Sequence, residues 1–114
     1  MNAGDVQWIE FPAGAGRAQA GRRPAIVIQT ATATARLPTV LLIPLTTQLD
    51  ALRFPGTVLL EADATNNLRR SSVALVFQLT AVDKRLVSAP LGRAGDPTMR
   101  AIWSEFEAIT THDQ

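Results

Sequence analysis

Short apolar runs separated by polar, glycine- or proline-bearing breaks recur along most of this chain, and only its last segment carries helical spacing. Val6-Gln7-Trp8-Ile9-Glu10-Phe11 alternates between two faces, as a strand does. β-Branched and leucine-rich runs follow at residues 24–30, 39–45, 57–61, 73–79 and 82–87, and each reads as a strand or extended piece, with 73–79 the longest. Pro44 has no N–H for a sheet ladder, so it marks a strand end, an edge or a bulge. Residues 12–21, 31–38 and 90–95 read as loops, and 54–56 and 63–67 as turns. Asp96-Pro97 then opens a helix, with Asp96 at the N-cap and Pro97 at its first position. Met99, Ile102, Phe106 and Ile109 form one apolar stripe along it. Many short strands followed by one C-terminal helix predict a mainly β, α+β fold, a small barrel or half-barrel.

With 114 residues the chain is long enough for one domain, residues 1–114, and too short for two cores. There is no cysteine, which excludes disulfides, thiolate metal sites and cysteine nucleophiles. The N-terminus lacks the basic and apolar regions of a signal peptide, and no stretch spans a bilayer, so a cytoplasmic protein away from membranes is expected. The single histidine, His112, lies in the tail, so neither a histidine acid/base pair nor a serine triad can be assembled. Carboxylates are scattered singly, with no metal-ligand spacing, and neither a metal nor a cofactor is expected.

Arginine and hydroxyl groups remain. Ten of the eleven basic residues are arginine, and residues 12–48 contain four of them (17, 22, 23 and 36) with no acid. In Gly21-Arg22-Arg23-Pro24 the proline pushes Arg23 toward extended backbone, which sets its guanidinium fork on a strand start. Thr46 and Thr47 follow the break at Pro44. Such a set can bind nucleic acid passively. It can also cleave RNA, because RNA brings its own 2′-OH nucleophile and the protein need only align the phosphate and neutralise developing charge.

Five segments, in this order, resemble the MazF/PemK toxins of bacterial toxin–antitoxin systems: Gly4-Asp5-Val6-x-Trp8, residues 21–28, Pro44-Leu45-Thr46-Thr47, Ser72-Val73-Ala74-Leu75-Val76-x-Gln78 and Val82-Asp83-Lys84-Arg85-Leu86. The resemblance implies an SH3-like twisted barrel, a homodimer, and metal-independent cleavage of single-stranded mRNA to 2′,3′-cyclic phosphate and 5′-OH ends. It implies Arg23 and Thr46 as catalytic residues. Arg17, Gln19, Arg22, Thr47, Ser72 and Gln78 are the expected substrate-binding residues. An antitoxin with an acidic, initially disordered tail is the expected protein partner. Where the family often has Gly-x-Glu-Gln-x-Gly, this chain has Gly16-Arg17-Ala18-Gln19-Ala20-Gly21, so no glutamate stands there to act as base. Arg23 and Thr46 then suffice, or Glu61 or the substrate takes the proton, and Arg17 is placed to add a phosphate contact. A gyrase poison resembling CcdB and a non-catalytic RNA- or protein-binding module are the alternatives.

Overall fold

The computed structural model describes residues 1–11 and 21–110. Arg17, Gln19 and the tail His112 lie outside the described residues. Seven strands form one antiparallel sheet: β1 (Asp5–Phe11), β2 (Gly21–Val27), β3 (Thr39–Thr46), β4 (Thr57–Leu60), β5 (Ser72–Leu75), β6 (Thr80–Asp83) and β7 (Val87–Arg93). The order is β4-β5-β3-β2-β1-β7, with β6 alongside the first half of β3. The mainly β class with a C-terminal helix is as expected. The expected barrel is not closed: β4 and β7 end the sheet and do not pair with each other.

Alternation sorts the apolar side chains to two faces. Val6, Ile26, Ile28, Ile43, Leu45 and Ala74 join one buried cluster, and Ile9, Phe11, Ala25, Val27, Val40 and Leu42 join another. Helix α2 (Asp96–Thr110) covers the first cluster, with Ile102 wholly buried and Met99 and Phe106 packed beside it. Glu105 accepts a hydrogen bond from the Gly56 N–H at 3.1 Å and ties α2 to the start of β4. No helix among the described residues is long and apolar enough to cross a membrane.

Several boundaries differ from the sequence expectation. Residues 31–36 form a short helix, α1 (Ala31–Arg36), not a loop: Thr30 caps it, its Oγ1 accepting from the Ala33 N–H at 3.2 Å. The run 73–79 is not one strand. It breaks into a 3-10 turn at Val76–Gln78, because the Phe77 N–H donates to the Gly56 carbonyl and the Leu79 N–H to the Val76 carbonyl. Residues 84–86, expected as extended, form a 3-10 turn capped by Asp83. Residues 90–93, expected in a loop, belong to β7, which carries Pro90 at an edge with a register shift against β1. The Gly95 carbonyl accepts from the Met99 N–H, so Gly95 is the N-cap of α2 and Asp96 its first residue.

Candidate functional site

β2 begins at Gly21, earlier than its apolar run, because β1 pairs with it from Phe11↔Gly21 through Ile9↔Arg23 to Val6↔Ile26. Pro24 sits just before pairing with β3 starts at Ala25↔Pro44. The pairs Ala25↔Pro44, Ile26↔Ile43 and Val27↔Leu42 fix the β2–β3 register. Carried on to the strand ends, that register sets Arg23 opposite Thr46 and Arg22 opposite Thr47. Period-two alternation then sends the two pairs to opposite faces of the sheet. Arg23 and Thr46 fall on the face of Ala25, Val27, Val40 and Leu42. Arg22 and Thr47 fall on the face of Ile26, Ile28, Ile43 and Leu45.

Arg23 is half-buried, and its Nε is fully buried with no hydrogen-bond partner among the described residues. A buried donor left unmet is costly, and an anionic oxygen is the natural acceptor for it. Thr46 is buried, and its Oγ1 accepts from the Gln48 N–H at 3.2 Å. The hydroxyl therefore holds its own turn and still has its hydrogen to donate. Thr46 lines a cavity of about 220 Å³ together with Gln48, Asp50, Arg53, Phe54, Phe77 and Gln78. Asp50 in that cavity pairs with Arg53 at 3.2 Å, and both side chains are about two-thirds exposed (68% and 66%). Phe54 and Phe77 meet edge to face at 5.9 Å, and each leaves 44% of its surface exposed.

On the other face, Arg22, Thr47 and Ser72 line a second cavity of about 570 Å³ with Trp8, Pro24, Asn67, Leu68, Arg69, Arg70 and Leu91. The Arg22 guanidinium lies over the Trp8 ring, 4.5 Å from its centroid, and its Nε is 3.9 Å from Glu10. Ser72 is buried and donates to the Arg70 carbonyl at 3.1 Å, so it steadies the turn that carries Arg70. The expected site residues thus divide: Thr46 and Gln78 line the smaller cavity, Arg22, Thr47 and Ser72 the larger, and Arg23 lines neither. Glu61 is exposed and lines neither cavity.

Sequence reasoning missed Trp8, Asn67, Arg69 and Arg70 as site residues. The second arginine pair was the available signal, since residues 64–82 are a further stretch without an acid. Its meaning depends on the preceding turn. There Asp63 Oδ1 accepts from the Thr65 and Asn66 N–H groups at 2.9 and 2.7 Å, and Asn66 Oδ1 accepts from the Asp63 and Leu68 N–H groups at 3.0 Å each. Asn67 takes a left-handed φ of 56° and donates through Nδ2 to the Leu91 carbonyl at 2.8 Å. No cluster of three or more histidine, cysteine, aspartate or glutamate side chains fit to hold a metal occurs among the described residues.

The chain is 35% identical over 104 residues to the probable endoribonuclease MazF5 of Mycobacterium tuberculosis, covering 91% of this chain and 87% of that one. It is 28% identical over 102 residues to the endoribonuclease MazF of Staphylococcus saprophyticus, covering 90% and 84%. The crystal structure of MazF from Deinococcus radiodurans superposes with a TM-score of 0.82 at 25% identity, over 98% of this chain and 97% of that one. Residues 2–110 match the family model of the PemK-like, MazF-like toxins of type II toxin–antitoxin systems, and the chain belongs to that family.

Proposed function

We propose that this toxin is an endoribonuclease that cuts single-stranded mRNA at short sequence motifs without a metal ion. The 2′-oxygen of the nucleotide before the cut bonds to phosphorus, and the bond from phosphorus to the 5′-oxygen breaks. The 2′-OH proton passes to water, the leaving 5′-oxygen takes a proton from water, and the ends are a 2′,3′-cyclic phosphate and a 5′-OH. What supports this reading is the β2–β3 register: the pairs Ala25↔Pro44, Ile26↔Ile43 and Val27↔Leu42, extended by two residues, would set the Arg23 fork across from the Thr46 hydroxyl. Arg23 neutralises charge on the pentavalent phosphorane, and Thr46 donates to a phosphoryl oxygen. Asp50, about two-thirds exposed and paired with Arg53, also borders the Thr46 cavity. Gln78 and the exposed ring pair of Phe54 and Phe77 border the same cavity and suit the flanking bases.

The names of the relatives favour this over a gyrase poison or a passive binding module. A cognate antitoxin follows from the family's toxin–antitoxin pairing, and an acidic, initially disordered tail suits the arginines of the sheet end. We further read the toxin as a cytoplasmic homodimer, for which the exposed apolar side chains of Leu49 and Leu52 offer a surface. The test is incubation of the purified chain with a defined single-stranded RNA in EDTA, followed by sequencing of the fragment ends. New 5′-OH ends at a recurring short motif are expected. Intact RNA under all conditions, or cleavage only with added divalent metal, would overturn the assignment.

A further inference from the structure

The larger cavity is on the far side of the sheet from Arg23 and Thr46, and the chemistry just described makes no use of it. Its walls bring together three arginines from two distant parts of the chain, Arg22 from β2 and Arg69 and Arg70 from the turn before β5, and include no carboxylate among the described residues. Neither Arg69 nor Arg70 has an acidic partner among the described residues. Arg22 is held differently, its Cζ over the Trp8 ring at 4.5 Å from the centroid and its Nε loosely tethered by Glu10 at 3.9 Å. A guanidinium and an indole so close offer planar groups to a base and N–H groups to an anion. Thr47, exposed at the rim, and Asn67, whose Nδ2 already donates to Leu91 while Oδ1 can still accept, add neutral hydrogen-bonding groups. The cavity's volume, about 570 Å³, lies within the range of small-molecule sites.

We infer that this cavity is a specificity pocket for one nucleotide flanking the cut. The base stacks on the Arg22–Trp8 pair, Asn67 and Thr47 meet base or sugar edges, and Arg69 and Arg70 hold the adjoining phosphate. This rests on the ribonuclease reading above and adds to it a division of labour. Arg22 and Arg23 are neighbours on one strand whose side chains leave opposite faces. The RNA therefore bends over the end of the sheet, with its scissile phosphate on one side and the recognised base on the other. A flat cation, neutral donors and acceptors and a phosphate clamp together fit a nucleotide. An acidic peptide would use the arginines and leave the planar faces idle.

The test uses the full chain with Trp103→Phe, which leaves Trp8 as the sole tryptophan and so as a reporter inside the cavity. Each of the four nucleoside 5′-monophosphates is titrated separately, and hexaglutamate serves as the peptide probe. Saturable change of Trp8 emission by at least one nucleotide is expected. The double variant Arg69→Ala/Arg70→Ala should weaken it by roughly tenfold or more, as expected for lost charge-assisted contacts. Thr47→Glu, an exposed change that sets a carboxylate at the rim, should do the same without unfolding risk. Arg100→Ala, an exposed change on α2, should leave this binding within about twofold. In cleavage mapping, the double variant should lose base preference at a position beside the cut, with its loss of rate concentrated in KM. Absence of any nucleotide effect on Trp8, saturation by hexaglutamate alone, or unchanged affinity and flanking preference in both pocket variants would each overturn the proposal. If wild-type chain leaves RNA intact while nucleotides still saturate Trp8, the ribonuclease reading fails and the nucleotide site stands.

Discussion

Arg23 and Thr46 put different demands on substitution. Arg23 is needed as a fork: Nε is buried and unmet while the rest of the group stays half-exposed, so charge alone does not reproduce it. Arg23→Lys keeps the charge but loses the planar donors, and a fall in kcat on the order of 10²–10³ is expected, with Arg23→Ala at least as low. Thr46→Val keeps shape and removes the hydroxyl, and should lose roughly 10²-fold, whereas Thr46→Ser should recover most activity. Single-turnover cleavage beside circular dichroism separates these losses from unfolding, and near-full activity of Thr46→Val would remove the hydroxyl from the mechanism. A different residue responds to pH. The Arg85 guanidinium donates to both carboxylate oxygens of Asp83, at 3.1 and 2.8 Å, and the Arg85 N–H adds a bond of 2.8 Å. Chiefly through the guanidinium and then the backbone bond, the Asp83 pKa is drawn down to about 2. A depressed carboxylate pKa stabilises the fold fully above its unfolded value of about 3.9 and loses that effect as pH falls toward 2. Asp83 carboxyl shifts followed by NMR should therefore titrate near pH 2, and Arg85→Gln should return them toward the ordinary range.

At the scale of elements, what could be read from the sequence followed from how local each signal was. β1, β3, β4 and the stripe of α2 were legible because their apolar periods are complete within the segment. Helix α1 was not: six residues reading Ala-Thr-Ala-Thr-Ala-Arg are too few to show a period. Its support is tertiary, from Lys84, whose Nζ donates to the Thr34 carbonyl at 2.7 Å, and from Gln29, whose Nε2 donates to Thr34 Oγ1 at 3.0 Å. The break within 73–79 hid in a run that is apolar throughout, and β7 hid behind Pro90 and Gly92. Arg23 and Thr46 were singled out through resemblance, whereas the second cavity needed the long-range meeting of β2 with the 61–70 turn. Gly92 shows how closely that turn is fitted. A Cβ there would come within 2.5 Å of the Thr65 and Asn66 carbonyl oxygens, while the Arg93 N–H already donates to Thr65 at 3.0 Å. Gly92→Ala must push the turn outward, and a loss of roughly 1–3 kcal/mol in urea unfolding is expected. Because Asn67 hangs from Leu91 in the same place, the variant should also weaken nucleotide binding at the Trp8 pocket, measured on the folded protein. Wild-type stability in Gly92→Ala would mean that the contact is slack.

Over the whole molecule the net charge is only +1, too small for a long-range field to draw RNA in. Cations are instead concentrated by topology. The two acid-free stretches, residues 12–48 and 64–82, are joined through the β2–β3 and β3–β5 pairings. That brings Arg22, Arg23, Arg69 and Arg70 to one end of the sheet, while the paired carboxylates of Asp5 and Asp83 are committed to Arg93 and Arg85. Binding should therefore be governed by short-range phosphate contacts that displace counterions. If those four arginines each meet one phosphate, log K should fall with log salt at a slope of about −2.8 for a single strand, or roughly fiftyfold weaker binding between 50 and 200 mM salt. Fluorescence anisotropy with a labelled RNA carrying a 2′-deoxy sugar at the cut site measures this without turnover. Arg69→Ala/Arg70→Ala should flatten the slope by about 1.4, and Arg23→Ala by about 0.7. Equal flattening by a distant control, Arg100→Ala on α2, would show that the charge acts as a diffuse field and not as a built groove. A slope near zero in the wild type would remove phosphate recognition from the sheet end altogether.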